Sequence, residues 1–263
     1  MSLKFCSFSS GSSGNCYLIK SENTALLIDV GISAKRITEG LLETETPIEM
    51  LAGILITHEH IDHVRSVKTM ARKKGIKIYA NRGTFGGNNL DIENEDKYEF
   101  ATGENFRIGD IEVRSFNIYH DAAEPVGYSF YAEGKQISVL TDTGKVCSDI
   151  LNEISEADLL VLEANHDVDM LRIGRYPWFL KQRVLSDVGH LSNESCGEAI
   201  LNILQRKDKY RNILLAHLSK ENNFPEMAYQ TVKNILEEND YYIGRNIDIN
   251  LLLRDQLSKV YSV

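Results

Sequence analysis

The stretch Thr57-His58-Glu59-His60-Ile61-Asp62-His63 constrains this chain more than any other. Histidines 58, 60 and 63 fall within one short segment of a chain that has only seven. The segment follows a short β-branched run, Gly53–Thr57, which reads as a strand. Side chains alternate along an extended chain, so His58 and His60 share a side. Asp62 and His63 are expected at a turn, where the chain bends and presents two more ligands to a neighbouring point. Neutral imidazoles and carboxylates suit zinc, manganese or iron, and no thiolate is needed. One segment can thus supply half of the ligands of a two-metal centre. A surface histidine cluster is the plainer alternative, and the density of ligand-type residues weighs against it.

Composition narrows the setting. Hydrophobic residues make up 43% and charged residues 25%, which suits a globular chain rather than a disordered one. With 29 basic and 38 acidic residues the net charge is −9, so a global basic field for nucleic acid is absent, while a local basic groove stays open. No run approaches the roughly 18 apolar residues of a membrane span. The N-terminal MSLKFCSFSSGSSGN has no apolar core of a secretory signal. Cys6, Cys16, Cys147 and Cys196 form no C-x-x-C pair. A cytoplasmic protein with reduced thiols and no membrane partner is expected.

Strands are expected at Leu3–Phe8, Cys16–Lys20, Ala25–Asp29, Ile76–Ala80, Ile111–Ile118, Val126–Ala132, Gln136–Thr141, Leu159–Leu162, Ile213–Ala216 and Ile247–Leu253. Helices are expected from Ser33 as cap to about Glu43, over Arg65–Lys74, Asn193–Leu204 and Pro225–Glu238. Glu133-Gly134 reads as a hairpin turn. This order suits two sheets between helical layers. With no repeat or Pro-rich linker, one domain spanning 1–263 is expected.

The H-x-H-x-D-H segment after a strand resembles the metallo-β-lactamase superfamily of hydrolases. The resemblance implies an α+β fold, a four-layer αββα sandwich of two mixed β-sheets flanked by helices. It also implies a dinuclear metal site at the sheet edges, and each remaining slot of the family pattern can be filled here. Asp29 ends Leu26-Leu27-Ile28-Asp29 as a group supporting a ligand histidine. Tyr119-His120-Asp121 supplies His120, Thr141-Asp142-Thr143-Gly144 supplies Asp142, and Leu215-Ala216-His217 supplies His217. The implied assignment puts His58, His60 and His120 on one metal, Asp62, His63 and His217 on the other, with Asp142 bridging. Two divalent ions are implied, zinc by default, manganese or iron as options. Two metals roughly 3.5–4 Å apart can hold a water as hydroxide and clamp a phosphoryl or carbonyl oxygen.

Two further segments, Glu163-Ala164-Asn165-His166-Asp167 and Gly189-His190-Leu191-Ser192-Asn193, resemble elements of the nuclease branch. They imply His190 as a phosphate contact or general acid and Glu163 as the partner of His190, and in the hydrolysis that the resemblance implies Asp62 or Asp142 orients the nucleophile. A loop histidine beside a helix cap is the plainer reading of His190, and His166 is left between a structural and a catalytic role. The Ser9–Asn15 loop is a tight turn or a wall of the site, with Ser12 and Asn15 as its candidate substrate contacts. Leu171–Arg183 carries Arg172, Arg175, Lys181 and Arg183, no acid, and Tyr176, Trp178 and Phe179 between them. Arg175, Lys181 and Arg183 are candidate contacts to a phosphate backbone, and the aromatics to bases, unless the segment is a solvated face and a core stripe. The Arg65–Lys74 helix adds Arg65, Lys68, Arg72, Lys73 and Lys74 beside the motif.

Nearly the full length resembles the YycJ/WalJ/VicX group of bacterial proteins, most specifically at Phe8–Asn15, Thr57–His63, Glu163–Asp167 and Gly189–Glu194. There is no room for a β-CASP domain, nor for a large RNA-binding arm between His120 and Asp142. The resemblance implies 5′→3′ exonuclease action on DNA in preference to RNA, a DNA-repair role and a link to a bacterial two-component system. It leaves the oligomeric state open. The alternatives are an RNA-processing nuclease, hydrolysis of a small ester, thioester or lactam, and a regulatory module that uses metal only for stability.

Overall fold

Strand pairing sorts the described residues into two seven-stranded sheets. The structure is a computed structural model, and it describes residues 2–87, 90, 92 and 96–263. The first half supplies β1 (Lys4–Ser9), β2 (Cys16–Lys20), β3 (Ala25–Ile28), β4 (Leu51–Leu55), β5 (Ile78–Asn81) and β6 (Lys97–Phe100). The second half supplies β7 (Asn105–Ile108), β8 (Ile111–Asn117), β9 (Val126–Ala132), β10 (Lys135–Leu140), β11 (Leu159–Glu163), β12 (Asn212–Ala216) and β13 (Asp248–Leu251). The last strand, β14 (Tyr261–Ser262), returns to pair with β1. The sheet orders are β14-β1-β2-β3-β4-β5-β6 and β13-β12-β11-β10-β9-β8-β7.

Both sheets are mixed. β1 to β3 are antiparallel and β3 to β6 parallel, while β7 to β10 are antiparallel and β10 to β13 parallel. Most of these strands are buried on both faces, so they read as apolar runs rather than as clean alternation. Phe5, Tyr17, Leu26 and Ile28 of the first sheet meet Tyr128, Phe130, Ile137 and Val161 of the second in the central core. The helices are α1 (Ala34–Glu43), α2 (Ile61–Val64), α3 (Val67–Lys74), α4 (Arg82–Gly86), α5 (Ser148–Ile154), α6 (Val168–Ile173), α7 (Trp178–Val184), α8 (Asn193–Arg206) and α9 (Pro225–Glu237). Ile37 and Leu41 of α1 and Val67 and Met70 of α3 cover Leu18 and Leu27 on the outer face of the first sheet. Ile154 of α5, Ile200 of α8 and Val232 of α9 cover Leu160 and Leu215 on that of the second. The result is the α+β, four-layer αββα arrangement.

Local chemistry explains several boundaries. The Ser33 hydroxyl accepts the Arg36 amide and caps α1. Glu133 and Gly134 both have positive φ, 50° and 74°, as a two-residue hairpin between β9 and β10 requires. Gly31 is forced by a close approach, since a Cβ there would lie 1.6 Å from the Asp62 carbonyl oxygen. That approach lets Asn15 N–H donate to Asp62 O and Gly31 N–H to Asn15 O, which locks the first loops against α2.

The structure departs from the sequence expectations at some elements. Asp62 and His63 lie within α2, with His60 as its N-cap, rather than at an irregular turn. The helix expected over 65–74 starts at Val67, after a separate turn. β6, β7, β14 and α4 to α7 are additional elements that the sequence patterns do not mark. The four cysteines are unpaired.

Candidate metal centre

Strand ends carry the chemistry. Asp29 follows β3, Asp142 lies two residues beyond β10, and His217 follows β12. All three have left-handed backbones, with φ of 56°, 57° and 55°. Non-glycine residues rarely adopt this conformation, and it persists only where surrounding contacts over-determine it. Those contacts are visible here. His217 N–H donates to Ser10 Oγ at 2.9 Å, and Asn165 Nδ2 donates to His217 O at 2.9 Å. Asp29 N–H donates to the Leu55 carbonyl.

The loop from β4 into α2 brings His58, His60, Asp62 and His63 to the same sheet edge. Tyr128 of the second sheet donates its hydroxyl to Ile56 O at 2.6 Å, and Val126 N–H donates to Thr57 O at 3.0 Å. The two sheets are therefore tied together directly behind the histidines. His58, His60 and His120 each offer a ligand atom, all within 4.8 Å of one another. The same holds for Asp62, His63 and His217, and for His58, His63 and Asp142. The third set joins the other two, because it shares His58 with one and His63 with the other.

Hydrogen bonds orient the rings. Asp29 is fully buried and accepts from Thr57 N–H and Thr57 Oγ1–H, both at 2.9 Å, and from His63 Nδ1–H at 2.7 Å. His63 Nε2 is thereby turned towards Asp142 and Asp62, at 3.5 and 3.6 Å. His58 Nδ1 contacts Thr57 Oγ1 at 3.0 Å, and its Nε2 lies 3.1 Å from His60 Nδ1. His120 Nδ1 donates to Gly189 O at 3.2 Å. Glu163, fully buried, accepts from His190 Nδ1 and His217 Nδ1 through the same Oε1, at 2.8 Å each. Its Oε2 accepts Thr143 N–H at 2.9 Å, so it also holds the turn that carries Asp142.

The electrostatics favour positive charge inside the cluster. Burial lowers the pKa of His63 and His217, yet carboxylates outweigh it. Asp29, Asp142 and Asp62 hold His63 up to about 10, and Asp142 with Glu163 holds His217 up to about 9. Burial raises Asp142, but His217, His63 and His58 keep it well below the usual carboxylate range. Burial and the neighbouring His63 push His58 well below an ordinary imidazole. Asp142 Oδ2 and His217 Nε2 are buried without a hydrogen-bond partner among the described residues. Orphaned buried polar atoms are costly, and a donor set of imidazole nitrogens and carboxylate oxygens fits divalent cations. The residues present therefore fit a metal centre.

The remaining candidates fall in different places. His190 is partly exposed beside the cluster and precedes α8, whose cap is Ser192. His166 is buried with neither ring nitrogen hydrogen-bonded among the described residues, and burial pushes it down to about 4. Ser12 is exposed on its loop. Asn15, read as a substrate contact, is fully buried, and its Oδ1 is taken by Gly11 N–H and Tyr17 O–H. Its Nδ2 lies 3.1 Å from His63 Nε2, so it bears on the cluster from the protein side rather than meeting a polymer at the surface. Arg183 forks onto Asp121, with Nη2 donating to Oδ1 at 3.0 Å. Lys181 donates to Arg172 O, and Arg175 is exposed. Arg65 donates to Ser13 O, while the side chains of Lys73 and Lys74 lie outside the described residues. Thr57, Ser10, Thr143 and Gly189 are the supporting groups that sequence patterns did not single out. Ser10, Thr143 and Gly189 act on or through the main chain, which leaves no spacing signal.

Comparisons with known proteins bear on the family and the fold. The model of the β-lactamase superfamily domain matches residues 24–211. Exodeoxyribonuclease YycJ of Bacillus anthracis is 41% identical, over 95% of each chain. Exodeoxyribonuclease WalJ of Streptococcus pneumoniae is 42% identical, over 92% of this chain and 91% of its own. The metallo-β-lactamase fold protein YhfI of Bacillus subtilis shares the fold, with a TM-score of 0.76 at 15% identity over the whole of both chains.

Proposed function

The chain belongs to the β-lactamase superfamily, and on that premise we propose that it is a two-cation phosphodiesterase that shortens DNA as an exonuclease. One observation carries the reading. His58-His60-His120 and Asp62-His63-His217 are two ligand sets joined through His58, His63 and Asp142. The exodeoxyribonuclease names of two relatives above 40% identity support DNA as the polymer.

In this proposal His58, His60 and His120 would hold one divalent cation and Asp62, His63 and His217 the second, with Asp142 as a ligand shared between them. Bound cations supply Lewis acidity and bring the pKa of water towards about 7. The chain's own groups do the rest. Asp62 and Asp142 direct carboxylate oxygens into the cluster, where they orient the attacking water and accept its proton. Glu163 accepts His190 Nδ1–H on Oε1 and so fixes the ring, which in this proposal leaves Nε2 as the atom that delivers a proton to the substrate. His190 Nε2–H then protonates the departing sugar oxygen. Once that proton has left, the Nδ1–H···Glu163 bond holds the neutral ring in place. Asp29 keeps His63 in the matching tautomer.

The finer features belong to the same proposal. Zinc is the default cation for a His/Asp donor set, with manganese or iron as options. DNA is preferred over RNA, digestion runs 5′→3′, and the role lies in DNA repair in the cytoplasm, with a functional link to a two-component system. Among the described residues no helix is long and apolar enough to cross a membrane. Residues 1–263 act as one metallo-β-lactamase-like domain in this proposal.

The reaction class is tested by assaying protein loaded with Zn²⁺ or Mn²⁺ on bis-p-nitrophenyl phosphate, p-nitrophenyl acetate, a thioester and a lactam. Hydrolysis of the phosphodiester, lost in Asp62→Ala, is expected. Turnover confined to the carbonyl substrates would transfer the centre to the small-ester reading.

A further inference from the structure

We propose that Trp178 and Phe179 form a stacking platform for unpaired bases, so that the strand reaching the metal centre is single-stranded or frayed. This rests on the nuclease reading and adds the form of its substrate. Trp178 is the chain's only tryptophan and is 71% exposed, Phe179 is 72% exposed, and Ile173 on the preceding helix is 86% exposed. Scattered exposed apolar residues are ordinary, whereas adjacent aromatic rings left open to water mark a contact surface.

Charge identifies the occupant. In a chain of net charge −9, residues 171–183 contain four cations and no acid. Arg172 faces Asp169 at 3.7 Å and Arg183 is paired with Asp121. Lys181 donates to the Arg172 carbonyl, and Arg175, three residues before Trp178, is exposed. Cations beside exposed rings match a strand that offers phosphates and base faces together. A second copy of the chain fits less well, because an isologous contact would set these cations against themselves.

The platform is also continuous with the metal centre. Leu185 N–H donates to Lys181 O, and His190 N–H donates to Val184 O. Gly189 closes this turn so tightly that a Cβ would lie 2.2 Å from Arg183 O. The Gly189 carbonyl then takes His120 Nδ1–H, and Arg183 takes Asp121 beside that histidine. One short segment therefore carries the rings at one end and touches the candidate ligand His120 at the other. Inside a duplex the base faces are already stacked on each other, so unpaired or frayed bases are the ones that can lay their faces on such rings along a strand.

The test uses Trp178 as its own probe. The protein, with metals chelated, is titrated with a single-stranded 15-mer of thymidines and with an abasic strand of the same length. Quenching of tryptophan emission by the thymidine strand and not by the abasic strand is expected. In metal-loaded protein, Trp178→Ala and Phe179→Ala should each raise KM for the thymidine strand about 10-fold, Trp178→Phe much less, and the preference over the abasic strand should shrink. Cleavage without quenching overturns the platform and leaves the nuclease reading intact, whereas base-dependent quenching without cleavage supports the platform and removes that reading. A dimer in sedimentation that dissociates in Trp178→Ala/Phe179→Ala also overturns it, and gives the surface to a second copy.

Discussion

His190 and His217 share one carboxylate oxygen, since Glu163 Oε1 lies 2.8 Å from Nδ1 of each ring. A candidate ligand and the candidate proton donor are thus aligned by one buried atom. Glu163→Gln leaves one acceptor oxygen, so its NH2 group faces either the two ring N–H donors or Thr143 N–H, and either the rings or the turn that carries Asp142 lose their support. Metal affinity should fall roughly 10–100-fold, with turnover falling alongside. Metal titration and steady-state cleavage of the same preparation measure both.

His190→Ala separates proton delivery from metal binding. Metal content should stay at the wild-type value, and DNA cleavage should fall about 10²–10⁴-fold. Bis-p-nitrophenyl phosphate, whose leaving group departs without a proton, should lose far less. An equal loss on both substrates would assign His190 to phosphate binding instead of proton transfer.

Asp29→Asn tests the buried support of His63. The carboxylate accepts three hydrogen bonds at zero exposure, and an amide nitrogen would face His63 Nδ1–H. Breaking one partner of a buried charge pair costs about 3–5 kcal/mol. Thermal unfolding of metal-free protein should show a clear drop in Tm, while Asp29→Glu would strain the same pocket by its length.

Far from the centre, Asp158 links β10 and β11 to the loop before β12. It accepts Gln136 N–H at 2.9 Å and lies 3.1 Å from both Lys135 Nζ and Lys209 Nζ. Burial raises its pKa, but the Gln136 amide and the two lysines outweigh it and hold it below the ordinary carboxylate value. A depressed folded pKa adds stability above the unfolded value near 3.9, and that stability is lost as pH falls through the folded value. Asp158→Asn should therefore cost about 1–2 kcal/mol at neutral pH. The gap in denaturant midpoint between the two proteins should close below about pH 4.

Much of this was legible because its causes are local. The Ser33 cap, the Glu133-Gly134 turn and the strands Cys16–Lys20 and Val126–Ala132 follow from neighbours in the chain. The dense His58–His63 segment announced the site, and Glu163 was legible as the partner of His190. Other parts depend on distant contacts. β6 carries Lys97 and Glu99, with only Phe100 buried among its four residues, so its pairing with β5 decides its state. Asp62 and His63 enter a helical turn because Asn15 and Gly31 pack against it, a contact between segments remote in sequence. Asn15 looked like a surface donor in a Ser/Gly loop, and burial under that same packing removes it from solvent.

The most direct test of the central claim is cleavage of 5′-labelled and 3′-labelled DNA, with matched RNA, by protein whose two bound cations have been counted by mass spectrometry. Stepwise shortening of DNA from the 5′ end, abolished in Asp62→Ala, is the result expected. Intact DNA and RNA in the presence of two bound cations per chain would contradict the account.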